Sequence, residues 1–180
     1  SKYVFVLRSE ILNEVKNSFQ DFKNSSFVCL DEVTEGQAVT CLKAEKELNS
    51  NKPVFVTSCD HGMVWNKDKW SSCLNQDPDV VVWAQRQYPM ASVTPKAFAY
   101  IDTEKNSAII KSVSVKAPIS ETPREDLLLV GTFYFKSSNL MCSLIRELIE
   151  KNIRVNGEFY LDSVVNLAVA RRLKVNVFEA

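Results

Sequence analysis

The sequence predicts an α/β domain: a Rossmann-like, mostly parallel central sheet with helices on both faces, followed by a mixed second half. Three observations carry this expectation. Strand-like and helix-like segments alternate through residues 1–60, the order that builds parallel β-α-β units. The strand-like runs are nearly continuously apolar rather than alternating, as expected where helices cover both faces of a sheet. The third run breaks off at a carboxylate, Asp60, and open α/β sheets collect ligands outside the carboxyl ends of their strands.

Tyr3-Val4-Phe5-Val6-Leu7 is β-branched and aromatic and reads as the first strand. Ser9 then stands as N-cap to a helix over residues 10–22, with Ile11, Leu12, Val15 and Phe19 as its apolar positions. Ser26-Phe27-Val28-Cys29-Leu30 is the second strand, residues 37–48 the second helix and residues 54–57 the third strand. A polar segment over residues 66–76 predicts a helix stopped by Asp77-Pro78, and residues 79–84 form the next buried strand. Runs at 98–101 and 108–115 flank a turn over 102–106 and have hairpin character. A strand over 127–135, helices over 139–151 and 159–171, and a strand over 175–178 complete the pattern. No repeat, low-complexity segment or linker divides the chain, so residues 1–180 read as a single domain.

Composition narrows the function. The chain is 46% hydrophobic and 24% charged, which is ordinary globular usage. Its 22 basic side chains are matched by 22 acidic ones, so no basic field exists to attract nucleic acid, which is not expected as a partner. No apolar run approaches the roughly 18 residues that span a bilayer, and the N-terminal segment lacks a secretory pattern. No membrane partner is expected, and the location reads as cytoplasmic. The five cysteines, Cys29, Cys41, Cys59, Cys73 and Cys142, are odd in number and contain no C-x-x-C pair. They read as structural thiols in a reducing compartment, and with His61 the only histidine they make no zinc set.

Five short motifs occur in a telling order: Thr34-Glu35-Gly36-Gln37-Ala38 ahead of a helix, the strand ending at Asp60, Val113-Ser114-Val115-Lys116-Ala117-Pro118, Val130-Gly131-Thr132-Phe133-Tyr134-Phe135, and Gly157-Glu158-Phe159-Tyr160-Leu161-Asp162. Each is weak alone. Together they resemble the sugar-phosphate nucleotidyltransferases, whose nucleotide-diphospho-sugar transferase fold joins a nucleoside monophosphate to a phosphorylated small molecule and releases pyrophosphate. The resemblance spans nearly the whole chain and implies a transferase making nucleotide-sugar precursors, with surface-polysaccharide synthesis as its setting.

The resemblance also assigns roles. Gly36 would lie against the nucleobase, since a residue without a side chain lets backbone approach a flat ring, with Glu35, Gln37 and Ala38 as neighbours and Gln37 reading a base edge through its amide. A capping box with Thr34 as cap and Gln37 three residues on is the alternative, and both can hold. Asp60 would bind magnesium bridging the phosphates, a hard ion suited to carboxylate oxygen; otherwise it caps a turn before Gly62. His61 would position or contact substrate. Lys116 would hold the acceptor phosphate as a point charge. It stands where the family carries Glu-Lys-Pro, but Val115 and Ala117 replace its neighbours, which sets a standard hexose 1-phosphate acceptor in question. Glu158 would bond substrate hydroxyls, and Gly131 would border the substrate with its backbone; the bland alternatives are a helix-start Glu and a strand bulge. Asp162 and Asn166, at i and i+4 of one predicted helix, form a weaker candidate for a second metal pair.

One family device is missing. The four glycines, Gly36, Gly62, Gly131 and Gly157, include no G-x-G cluster, whereas the family grips the triphosphate with a Gly-rich loop after its first strand. The expectation is therefore a domain incomplete at both ends, with little turnover unless those ends are supplied. A homo-oligomer remains open. The rival from another class is a non-catalytic ligand-binding or regulatory domain of the same fold; a glycosyltransferase ranks last because Asp60-His61-Gly62 lacks the second carboxylate of a D-x-D motif.

Overall fold

The computed structural model describes residues 1–180 apart from Gln20, Ser50, Cys59, His61 and Asn106, and the side chains of Lys16 and Phe19. Strands β1 (Tyr3–Arg8) and β2 (Ser25–Leu30) pair in parallel, with Tyr3 opposite Ser25 and Arg8 opposite Leu30. The segment between them is not the long helix that the spacing predicts. It divides into a 3₁₀ turn at Ser9–Ile11, the short helix α1 (Leu12–Val15) and a second 3₁₀ turn at Lys16–Phe19. None of residues 9–15 is buried, so the apolar stripe has little to pack against, and in a short helix packing rather than propensity supplies the stability.

The second sheet has six strands in the order β6-β5-β7-β4-β8, with β3 also paired to β7; its members are β3 (Val54–Val56), β4 (Val80–Gln85), β5 (Ala99–Thr103), β6 (Ile110–Val115), β7 (Leu127–Phe135) and β8 (Val175–Glu179). β4 and β8 run parallel, while β3, β4 and β5 are each antiparallel to β7. The third strand of the β-α series thus does not pair with β1 or β2. It takes β7, whose Phe133, Tyr134 and Phe135 stand opposite Val56, Phe55 and Val54. The 98–115 hairpin forms as expected, with Ala99 opposite Val115 and a register irregularity at Asp102/Thr103.

Helices cover both faces of this sheet, which explains the unbroken apolar run of β4. Val80, Val82 and Ala84 face α2 (Gln37–Lys43), α5 (Ser138–Glu150) and α6 (Leu161–Ala170), where Ala38, Met141, Leu144, Ile145, Leu148, Leu161 and Val164 complete the main core. Val81 and Trp83 face the other way, against Cys73 and Trp70 of α3 (Lys67–Leu74) and against Phe178. Each fully buried Leu or Ile on α5 contributes about 2 kcal/mol of transfer free energy. The helix ends are encoded locally. Asn66 accepts from the amides of Asp68 and Lys69, Ser137 accepts from Leu140, and α5 closes in a Schellman turn with Asn152 at φ 50°, Ile153 N–H donating to Leu148 O and Asn152 N–H to Ile149 O. Helix α4 (Met90–Val93), a single turn, has no counterpart in the sequence reading.

Four cysteines are described: Cys73 and Cys142 are buried, Cys41 is partly buried and Cys29 is exposed on β2. Burial pushes the Cys41 thiol up to about 12, with Cys142 adding to the rise, and pushes Cys142 to about 11. These are protonated core thiols, as expected. Cys59 lies outside the described residues.

Candidate functional site

A cavity of about 480 Å³, a size suited to a small ligand, opens where β3 ends and β5 begins against β7. Its floor is Leu128, Leu129, Val130 and Gly131 of β7. Ser58 and Asp60 reach it from the segment after β3, Ala97, Phe98 and Ala99 from the start of β5, and Gln85 and Tyr88 from the end of β4. Gln37 comes from the first turn of α2, Lys116 from just beyond β6, and Tyr160 and Asp162 from the start of α6. Four residues expected at a site, Gln37, Asp60, Lys116 and Gly131, are therefore brought together from four separate motifs.

Lys116 is held with its backbone in the left-handed region at φ 60°, a conformation that costs a non-glycine residue about 1 kcal/mol or more and is found at functional sites. Its amide donates to Phe98 O at 2.9 Å and its ammonium to Ala97 O at 2.5 Å, and the ammonium lies 5.4 Å from the centre of the Tyr160 ring. Burial raises the Asp162 carboxyl to about 6, against the opposing pull of Lys116. Burial raises the Tyr160 hydroxyl as well, and a hydrogen bond with Glu158 adds to the rise. Gly131 sits mid-strand at φ 73°, and a Cβ there would meet Ser58 Oγ at 3.5 Å.

Of the other expected residues, Asp162 also lines the cavity, while Glu35, Gly36, Ala38, Glu158 and Asn166 do not. Glu35 pairs with Arg154, and Ala38 is fully buried with its amide donating to Phe159 O at 3.0 Å. Gly36 takes φ 125° and ψ 173°, and a Cβ on it would lie 2.7 Å from both the amide nitrogen and the carbonyl oxygen of Phe159. The glycine is thus required by close backbone approach. The capping box does not form, because Thr34 Oγ1 donates to Gly36 O and meets Thr40 Oγ1 instead. Glu158 belongs to a two-residue hairpin, Val155-Asn156-Gly157-Glu158, in which the φ angles of Asn156 (50°) and Gly157 (85°) make the turn; α6 starts only after Tyr160. Asn166 is committed elsewhere: its Oδ1 accepts from Val113 N–H at 2.7 Å and its Nδ2 donates to Val113 O at 2.8 Å, which removes it from any metal pair with Asp162. His61 lies outside the described residues.

Tyr88, Phe98 and Gln85 have no sequence signature, because they meet only when β4 and β5 both pack on β7. Tyr160 had a signal in its place between Glu158 and Asp162. Among the described residues no group of three or more His, Cys, Asp or Glu side chains is placed to hold a metal. Magnesium commonly uses one or two carboxylates and completes its shell with phosphate and water, so the carboxylate of Asp60 at the cavity fits that ion. No described helix is long and apolar enough to cross a membrane.

No family model matches the sequence, and no curated protein matches it significantly. Solved structures do match. A nucleoside-diphosphate-sugar pyrophosphorylase from Vibrio cholerae RC9 superposes with a TM-score of 0.76 at 17% identity, covering 100% of this chain and 73% of that one. An inositol-1-phosphate CTP transferase from T. maritima gives a TM-score of 0.71 at 14% identity, covering 99% of this chain and 66% of that one. The chain therefore shares its fold with these structures, in line with the α/β fold expected from the order of the five motifs.

Proposed function

We propose that the protein is a nucleotidyltransferase that moves a nucleoside monophosphate from a nucleoside triphosphate to a phosphorylated small molecule, with magnesium and with release of pyrophosphate, in the supply of surface-polysaccharide precursors. The observation that carries this reading is the convergence of Gln37, Asp60, Lys116 and Gly131 on one cavity. Gln37 reads the base edge, and Glu35, Gly36 and Ala38 form the turn that presents it. Lys116 holds the acceptor phosphate: its ammonium is hydrogen-bonded to a neutral carbonyl, so an anionic oxygen offers it a stronger, charge-assisted partner. Gly131 lets the substrate lie close to the floor of the cavity, Glu158 bonds acceptor hydroxyls from the hairpin beside Tyr160, and His61 contacts substrate.

An oxygen of the acceptor phosphate attacks the α-phosphorus, and the bond to the pyrophosphate oxygen breaks. That nucleophile is already ionised at neutral pH, so the chain need only position it and needs no general base. Held at Asp60, magnesium supplies neutralisation of phosphate charge. Acceptor identity follows from the walls. Tyr88, Phe98, Leu128 and Tyr160 give the cavity a largely apolar lining, and the position before Lys116 is Val115 rather than a carboxylate. A compact phosphorylated alcohol suits it better than a hexose with hydroxyls on every side.

The test is calorimetric titration of each of the four nucleoside triphosphates with magnesium, followed by pyrophosphate release with a panel of phosphorylated alcohols and sugar 1-phosphates. Binding of one nucleotide, lost in Gln37→Ala, together with release abolished in Lys116→Ala and Asp60→Ala, is expected. Binding with no release from any acceptor would favour a ligand-binding or regulatory domain, and no binding of any nucleotide would reject the reading.

A further inference from the structure

Arg154 makes more contacts than any role as a surface charge requires. Its Nε donates to Asn152 Oδ1 at 2.7 Å, Nη1 to the carbonyl of Gly157 at 2.7 Å and Nη2 to Glu35 Oε2, while the guanidinium stacks 3.8 Å from the centre of the Phe159 ring. The side chain is 30% exposed and Phe159 is 1% exposed, so the stack closes over the core. One fork thus fastens three things: the left-handed end of α5 at Asn152, the Asn156-Gly157 hairpin, and the Gly36 turn, which lies more than a hundred residues earlier in sequence. Directly beneath it two backbone hydrogen bonds join the same segments, Phe159 N–H to Glu35 O at 2.8 Å and Ala38 N–H to Phe159 O at 3.0 Å.

Those adjoining segments each deliver groups that line the cavity. The turn leads into Gln37, and the hairpin leads into Tyr160 and Asp162, while neither Glu35 nor Arg154 lines the cavity. We propose that Arg154 is a positioning residue that fixes the Gly36 turn against the 155–160 hairpin and so sets the place of Gln37 relative to Tyr160 and Asp162, governing nucleotide affinity without touching nucleotide. This rests on Gln37 being the nucleotide contact. An exposed ion pair between Glu35 and Arg154 alone would contribute little. The planar fork is what matters, since a lysine has one compact charge and cannot serve three acceptors in fixed directions or stack on a ring.

The experiment uses the whole chain and compares the wild type with Arg154→Ala, Arg154→Lys and Glu35→Gln. Affinity for each of the four nucleoside triphosphates with magnesium is measured by calorimetry well below the melting temperature, and amide hydrogen exchange at Ala38 and Phe159 is followed without ligand. Both Arg154 variants are expected to weaken binding about tenfold or more, the size of one charged hydrogen bond, and to speed exchange at both amides. Where turnover is measurable, KM for nucleotide rises and kcat holds. Should Arg154→Ala fail to fold, Glu35→Gln keeps the shape of the pair and reads the same link. Wild-type affinity in Arg154→Ala, or affinity fully retained in Arg154→Lys, would overturn the role of the fork. Absence of nucleotide binding by the wild type would instead remove the Gln37 reading beneath it, while altered exchange would still report the clamp.

Discussion

Replacing Gly36 by alanine tests whether the turn before α2 is set by packing. The residue stands at φ 125° and ψ 173°, a region that is essentially glycine-only, so any side chain there costs about 1–3 kcal/mol in backbone strain. The new Cβ would also lie 2.7 Å from the amide nitrogen and the carbonyl oxygen of Phe159, atoms engaged with Glu35 and Ala38. Neither can swing aside as a flexible side chain could, and overpacking of this kind adds about 1–3 kcal/mol. The middle of the combined range is about 4 kcal/mol, a large share of the 5–15 kcal/mol that stabilises a typical domain. At about 2–4 °C per kcal/mol for a chain of this size, the melting temperature should fall by about 8–16 °C. Gly157→Ala is the internal control. Its φ is 85°, but no described atom lies within 4 Å of the added Cβ, so only strain of about 1–2 kcal/mol remains. Calorimetric melting of both variants separates the two contributions. If Gly36→Ala melts with Gly157→Ala, close contact with Phe159 is not what keeps position 36 a glycine.

Asp162 gives a pH signature: its folded carboxyl titrates at about 6 against 3.8 for the free group, so the native state holds the proton more tightly, and stability is fully present below about 4 and declines as pH rises to about 6. Asp162→Asn should therefore gain stability above pH 6, with a ceiling of about 3 kcal/mol that contact with water lowers; identical urea midpoints for variant and wild type across pH 4–8 would refute this. Asn166→Ala strips both polar partners from Val113 in β6 and should cost about 2–4 kcal/mol in thermal unfolding, whereas a role in metal binding alone would leave the apo protein's melting unchanged. With thiols pushed to about 12 and about 11, Cys41 and Cys142 should resist a thiol reagent at pH 8 until the chain unfolds, while exposed Cys29 reacts at once, as peptide mapping would show.

Long elements with strong caps were legible in the sequence, and short ones held by neighbours were not. β7 matches its expected span of 127–135 because eight of its nine residues, all but Gly131, are apolar or β-forming, and α5 starts one residue earlier than expected because Ser137 supplies the cap. The helix expected over 10–22 broke into short turns, and its described first part, residues 9–15, has no buried side chain to hold it. The one expected over 159–171 began too early, because the Asn-Gly pair at 156–157 closes a hairpin and Tyr160 leaves it extended, as the residue before α6. At the site, Gln37, Asp60, Lys116 and Gly131 could be found because each ends or interrupts a strong local pattern. Tyr88 and Phe98 could not. They lie 5.5 Å apart, ring to ring, yet belong to separate short segments whose only shared reference is the sheet, so no spacing in the chain encodes their meeting.

The place of the cavity follows from a defect in β7. Along one side β7 pairs with β4 throughout, but between the pairs Val82–Phe133 and Ala84–Leu129 two steps on β4 span four on β7. The excess is taken up around Gly131, whose φ of 73° permits a bulge that a β-branched residue would resist. On its other side β7 pairs first with β5, at Leu127 and Leu128, and then with β3, at Phe133 to Phe135. Among the described residues, 129–132 have no ladder partner on that side, and 129–131 border the cavity between two antiparallel neighbours. Asp60 arrives from the end of β3 and Lys116 from the end of β6, which returns beside β5, so opposite charges flank the gap. A sheet with continuous pairing would have buried these groups or spread them over its rim. On the far face the ordinary alternation of β4 carries Val81 and Trp83 into the aromatic cluster, where Trp83 packs on Trp70 at 4.4 Å ring to ring, so the strand that borders the cavity on one side is anchored by packing on the other.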